Sequence, residues 1–228
     1  MCINTHGAQV VSWCIMVVNP SAVDPVRLPR RRLSRAEQNE AKRRLLLASA
    51  LEVLTEQGYQ AMSLEEVAER AGFTRRPIYT LFGSKEQLAL ALFEEQIARF
   101  SNDVLLSLQP ERTLEGALKR LAEVHTELTT GPAYRPLYEL QIALNGVALR
   151  DEAIHEEFIR FLREQHERLV VWLTQISDST GQRFRLPVDR VASVIEAGFN
   201  GLITLGYLEP SYHQAELKYS LLMGLVAD

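Results

Sequence analysis

In the segment Ala71–Phe82, AGFTRRPIYTLF, two adjacent arginines precede a proline and an aromatic-apolar run. Gly72 reads as a turn, which places Arg75 and Arg76 in the first turn of a short helix. The unpaired amide groups there carry partial positive charge, so the position favours an anion over a cation. The arginines are mismatched to it unless negative charge arrives from outside the chain. A guanidinium suits phosphate oxygens or, bidentately, the O6/N7 edge of guanine. Pro77 is tolerated in a first turn, where its missing N–H has no helical partner, and its ring can lie on a thymine methyl group. Tyr79 points away from Ile78 and can donate its hydroxyl to phosphate. Read alone, the arginine pair is a solvated surface pair, the usual fate of charged residues.

Helices on either side decide between these readings. Ser63–Glu66, SLEE, is a capping box that opens a short helix with Leu64, Val67, Ala68 and Ala71 on one face. Gly72 permits the left-handed backbone of a tight turn. Thr74 can cap the next helix, which buries Ile78, Leu81 and Phe82. A second capping box, Ser84–Gln87, opens a longer helix towards Leu108. An earlier helix ends near Gln57, ahead of Gly58-Tyr59, and the basic run Pro29–Arg35, PRRRLSR, reads as a flexible arm before it. The join at Gly72 has helix-turn-helix dimensions, and its second helix enters a major groove with its N-terminal residues on bases and phosphates. Within that pattern DNA supplies the missing charge.

The stretch Thr55–Leu88, TEQGYQAMSLEEVAERAGFTRRPIYTLFGSKEQL, resembles the N-terminal domain of TetR-family transcriptional regulators. Gly58-Tyr59, Ser63, Val67-Ala68, Ala71-Gly72, Thr74, Tyr79, Phe82 and Ser84-Lys85-Glu86 carry the likeness, over roughly residues 35–90. It implies an all-α homodimer with an effector-binding C-terminal domain that controls DNA affinity. It also makes Ser63, Thr74, Tyr79 and Lys85 candidate phosphate contacts; Arg35, Arg75, Arg76, Pro77 and Thr80 complete the candidate DNA-binding set. Many members have Gly where this chain has Arg76, and Pro77 also departs from the common pattern. Operator sequence therefore does not carry over. The arm Arg30–Arg35 can reach a minor groove or the DNA backbone, or stay solvated.

Charge supports a division of the 228 residues. Residues 1–85 hold 12 Lys/Arg against 8 Asp/Glu, whereas residues 86–228 hold 13 against 21. A basic front and an acidic back imply different partners. Cys2 and Cys14 lack metal-ligand spacing, and the rest of the chain has no cysteine, which fits a reducing, cytoplasmic setting. The apolar run Val10–Val18 is too short to span a bilayer and lacks the flanks of a signal peptide. Residues 1–29 are expected to form an irregular extension, with an anchor or partner-binding segment as the alternative. Residues 30–90 then form the DNA-binding domain, and residues 91–228 a helical ligand-binding and dimerisation domain.

In that second part, helix breaks are expected near Gln109-Pro110, Gly131-Pro132, Gly146, Ser177–Pro187 and Glu209-Pro210. His125 shares a helix face with Leu114, Leu118, Leu121 and Leu128, as a core histidine or a pocket group. Tyr134, Tyr138, Gln141 and Asn145 share a face, as do Phe158, Leu162, Gln165, Leu169 and Trp172. Apolar bodies with polar tips suit an effector pocket, and packing is the other reading. The expected pocket set is His125, Tyr134, Tyr138, Gln141, Asn145, Gln165 and Trp172, for a neutral or weakly charged organic molecule. Two final helices, about Val188–Leu208 and Tyr212–Ala227, have too little polar surface to stand exposed. The family resemblance makes them a four-helix dimer interface, centred here on Ala197, Gly198, Gly201 and Leu205. No Ser/His/Asp order, phosphate loop or HExxH motif points to an enzyme, and no cofactor or metal is expected.

Overall fold

The structure, a computed structural model, describes residues 34–108 and 111–227. The expectations for residues 1–29, and for the arm residues before Ser34, lie outside the described residues. The helices are α1 (Arg35–Ala61), α2 (Leu64–Arg70), α3 (Arg76–Leu81), α4 (Lys85–Ser107), α5 (Leu114–Thr130), α6 (Tyr134–Ala148), α7 (Glu152–Thr180), α8 (Val188–Leu208) and α9 (Ala215–Met223). A 3-10 turn at Pro210–Tyr212 joins the last two. Among the described residues there is no strand, only an isolated bridge between Phe184 and Val226. The fold is all-α.

Ser34 and Glu37 start α1 with a reciprocal capping box. The Glu37 amide donates to Ser34 Oγ at 3.2 Å and the Ser34 amide donates to Glu37 Oε2 at 2.7 Å. Two orphan donors are thereby satisfied, and Arg35 is the first helical residue rather than part of a flexible arm. Gly58, with φ of 76°, interrupts α1 at the expected place, although helical residues resume as far as Ala61. Only glycine adopts that backbone without steric cost.

Two apolar cores lie along α4. The front core combines Leu46, Leu47, Ala50, Val53 and Leu54 of α1 with Val67, Ile78, Leu88, Leu92 and Phe93. It also takes in Leu137, Leu140 and Leu144 of α6 and Ile154, Phe158 and Phe161 of α7. The rear core joins Val104 of α4 to Leu114, Leu118 and Leu121 of α5, Leu173 of α7, Val191, Ile195 and Phe199 of α8, and Leu222 of α9. The front core thus extends past residue 90, because α6 packs on α1 and α4, and α7 packs on α4 and α6. At about 25 cal/mol per Å² of apolar area, such burial holds α4 firmly to both parts.

Two boundaries differ from the sequence expectations. Gly146 lies inside α6 without a left-handed backbone, and the break comes after Ala148. The last helix is only Ala215–Met223. Pro210 and the 3-10 turn delay its start, and the chain after Gly224 runs alongside Phe184. Among the described residues, α8 is the one helix long and apolar enough to cross a membrane. Instead it packs Val191, Ile195, Phe199 and Ile203 inside the protein.

Candidate functional site

α2 is fixed before α3 can be presented. Ser63 Oγ accepts from the Glu66 amide at 3.2 Å, and Leu64, Val67 and Ala68 are buried. The capping box is only half made, because the Glu66 carboxylate turns away from Ser63. It accepts instead from Arg70 at 3.0 Å and from Gln57 at 2.7 Å. Arg70 also pairs with Glu56 at 2.8 Å, which ties α2 to α1. Gly72 then turns the chain with φ of 74°, and the Phe73 amide closes the turn on the Ala68 carbonyl at 2.8 Å.

α3 is anchored by Ile78, which is fully buried. Around that anchor Thr74, Arg75, Arg76, Tyr79 and Thr80 are exposed, with Pro77 half-buried in the first turn. The Tyr79 side chain stands free of the core, as its offset from Ile78 requires. Thr80 Oγ1 donates to the Arg76 carbonyl at 2.9 Å. Thr74 does not cap α3: Arg75 occupies the cap position with helical φ and ψ, and no side chain bonds the free amides. Arg75 pairs with Glu65 in the first turn of α2. Part of the negative charge sought outside the chain is therefore supplied within it. Both partners are exposed, and such a pair contributes about 0–1 kcal/mol, so a phosphate can displace it.

Lys85 is also engaged. Its Nζ donates to the Gln60 carbonyl at 3.3 Å and lies 4.7 Å from the centre of the Tyr59 ring. Burial lowers its pKa, and the neighbouring Glu86 opposes that. Ser84 caps α4 by accepting from the Gln87 amide at 3.1 Å. Arg43, over the Phe82 ring at 5.5 Å, steadies the end of α3. Ser63 is half-buried and Arg35 exposed at the head of α1.

Between the two cores lies a cavity of about 500 Å³. Of the expected set, His125, Tyr134, Gln141, Gln165 and Trp172 line it. Tyr138 and Asn145 do not. The Tyr138 hydroxyl donates to Thr204 Oγ1 at 2.6 Å and its ring stacks on Tyr207, so it fastens α6 to α8. Asn145 is exposed, because the face shared by Tyr134 and Gln141 rotates into solvent by the end of α6. Sequence reasoning missed the α4 wall, although Phe93, Ile97, Phe100 and Val104 recur at helical spacing. On the opposite wall, Gln165 Oε1 accepts from Ser101 Oγ at 3.0 Å. Burial raises the pKa of Tyr134 far above the usual phenol range, so its hydroxyl stays protonated.

Two further charged side chains line the cavity, and both are occupied. Arg168 bonds Asn102, and Glu196 bonds His166 Nδ1 at 2.9 Å. At the far end His125 packs edge-on to Phe100 and Phe199, with ring centres 5.6 and 4.6 Å away. His125 Nδ1 is buried with no hydrogen-bond partner. Burial, and then the nearby Lys218 ammonium, hold its pKa well below the usual histidine range.

Sequence reasoning also missed Lys218, a single charge inside the apolar run of α9. It is fully buried, donating to Thr126 Oγ1 at 3.0 Å and to Thr129 Oγ1 at 3.3 Å. Its Nζ lies 5.6 Å from the centre of the Phe199 ring. Desolvation lowers its pKa to about 8.

The outer face of α8 exposes Val194, Ala197, Gly201, Leu205 and Leu208 at helical spacing. Gly201 has open space around its α-carbon, whereas a Cβ on Gly198 would collide with Leu221 of α9. Gly198 therefore sets the close crossing of α8 and α9, and Gly201 opens outwards.

Residues 46–92 match the model of bacterial regulatory proteins of the tetR family. The HTH-type transcriptional regulator BetI of Rhizobium meliloti (strain 1021) is 23% identical over 188 residues, which cover 82% of this chain and 86% of that one. Among solved structures, a transcriptional regulator from Rhodococcus sp. RHA1 superposes with a TM-score of 0.68 at 19% identity, over 80% of this chain and 92% of that one. A regulator from Saccharomonospora viridis in complex with choline superposes with a TM-score of 0.63 at 16% identity, over 83% of this chain and 100% of that one. These likenesses establish the fold.

Proposed function

We propose that this member of the TetR family of helix-turn-helix regulators is a repressor that a small organic effector releases from DNA. It works in the cytoplasm as a homodimer on a palindromic operator. One observation carries the reading: α4 begins beside the recognition helix α3 and forms a wall of the cavity with Ile97, Phe100 and Val104. A ligand that alters the packing of α4 against α7 therefore moves the front core and α3 with it.

Arg75, Arg76, Pro77, Tyr79 and Thr80 would face the major groove, with Ser63, Thr74, Lys85 and Arg35 on flanking phosphates. A single α3 buries too little surface for strong specificity. Two copies joined through the outer face of α8 would read half-sites roughly 34–36 Å apart. The effector must bind the DNA-competent and released conformations unequally, since equal affinity shifts nothing. A coupling of about 1–3 kcal/mol changes operator affinity roughly 5- to 150-fold.

The test is a mobility-shift assay on the DNA upstream of the protein's own gene, with and without candidate effectors. Gln141→Ala and Gln165→Ala should bind that DNA as the parent does and need more effector for release. Release of both variants at the parent's effector concentration would move the effector site elsewhere.

A further inference from the structure

Lys218 is a fully buried cation. No carboxylate among the described residues pairs with it, and desolvation is the whole cause of its lowered pKa. With a pKa of about 8 it remains largely protonated at neutral pH. Two of its three protons go to Thr126 and Thr129, and the third side faces Phe199. The other groups around it are neutral or cationic. Tyr207 donates its hydroxyl to the Thr129 carbonyl at 3.1 Å. His213 Nδ1 is buried without a partner, and burial followed by Lys218 lowers its pKa. A buried, uncompensated ammonium is costly, and a protein that keeps one gains by bringing an anion to it.

The cavity touches two of the groups near Lys218. Phe199 and His125 line it, and Lys218 Nζ, itself outside the lining, lies 5.6 Å from the centre of the Phe199 ring. The field of that ammonium already reaches His125. Elsewhere in the lining the charged groups are spent on protein partners, Arg168 on Asn102 and Glu196 on His166. The walls of α4 and α7 offer aromatic and aliphatic surface.

Building on the effector-cavity reading, we infer that the effector is an apolar-bodied carboxylic acid. Its carboxylate sits at the His125–Phe199 end as the counter-charge that Lys218 lacks. His125, kept neutral by burial and by Lys218, is free to donate one ring N–H to a carboxylate oxygen while its other nitrogen stays unprotonated. The hydrocarbon body lies between α4 and α7 towards Trp172. A cationic ligand meets the like charge of Lys218 across Phe199, and a neutral one leaves it uncompensated.

The experiment titrates the full chain with decanoate, decanamide and decylamine at pH 7, following heat of binding and tryptophan emission, with a Trp13→Phe background to isolate Trp172. In the parent, decanoate should bind about tenfold or more tightly than decanamide, since a charge pair in a partly dry site supports that ratio even across an aromatic ring. Decylamine should bind more weakly than either. In Lys218→Met the acid and the amide should come within about threefold, with amide binding reporting an intact cavity. Arg168→Gln should keep the acid preference. Equal binding of acid and amide by the parent, or an acid preference that survives Lys218→Met, overturns the inference and leaves the cavity reading standing. Loss of the preference in Arg168→Gln alone places the carboxylate at Arg168 and also overturns it. If none of the three probes binds, the cavity reading fails and the inference fails with it.

Discussion

The cations of the front and the rear of this molecule have opposite fates. Arg75 and Arg76 stand in water at the start of a helix of six residues, and among the described residues their one ion pair, Arg75 with Glu65, is exposed and exchangeable. Lys218 is fully buried, with two threonine hydroxyls and a phenyl ring for company. An exposed cation costs little to keep and can trade one anion for another, which suits a surface that must dock on phosphates and leave again. A buried one keeps its cost until something compensates it. In the proposed function the front meets a partner from outside, and the rear is completed by one.

The largest effect should follow from separating the two copies. Gly201→Glu places a charge on the open face of α8 without touching the intramolecular core. Sedimentation should show a monomer, and operator affinity should fall by about 100-fold or more, because the second half-site no longer binds intramolecularly. A parent protein that sediments as a monomer at micromolar concentration would remove the dimer from this account.

Next comes the buried cation itself. Lys218→Met should raise stability by about 1–4 kcal/mol, the range seen when buried charges give way to apolar groups. Thr129 Oγ1 already donates to the His125 carbonyl at 2.7 Å, so the change strands no donor there. The pH dependence follows from the lowered pKa. Between about 8 and about 10 the unfolded chain holds a proton on this lysine that the folded chain has released. Stability of the parent should therefore rise with pH across that window, and the rise should vanish in Lys218→Met. Thermal midpoints at pH 7.5 and 9.5 check both points.

Gly72→Ala sharpens the front. Nothing crowds the site, so the cost is the left-handed backbone alone, about 1–2 kcal/mol. Denaturant unfolding should show that loss. A neutral result would mean the turn adapts to a Cβ. The smallest effect belongs to Lys85→Ala, which should reduce the slope of log affinity against log salt by about 1 and weaken binding to all sequences alike. An unchanged slope would confine Lys85 to its seat on Tyr59 and Gln60.

The same contrast governs what could be read from the residues alone. The front was legible because local rules decide it: Ser63, Gly72 and Ser84 act within four residues of themselves, and Ile78 marks the buried side of α3. Its errors were local too. Ser34, placed in the flexible arm, caps α1 in a box with Glu37, and Arg75 rather than Thr74 takes the cap position of α3. In the rear, five of the seven residues expected from helical spacing line the cavity. Whether Tyr138 faced ligand or protein depended on Thr204 and Tyr207, 66 and 69 positions further on. Nothing in the α9 run LKYSLLM signals that Lys218 turns inwards, because that depends on where Thr126 and Thr129 of α5 come to lie. The TetR-family match, residues 46–92, likewise falls on the locally determined half.

The most direct test of the account is the affinity of the protein for its own upstream DNA, measured by fluorescence anisotropy for the parent and for the Arg75→Ala/Arg76→Ala double variant. Each arginine that holds a base bidentately contributes about 1–3 kcal/mol, so the double variant should bind specific DNA at least about tenfold more weakly, with the thermal midpoint unchanged. Equal affinity in a well-folded double variant would contradict the assignment of α3 as the helix that reads DNA.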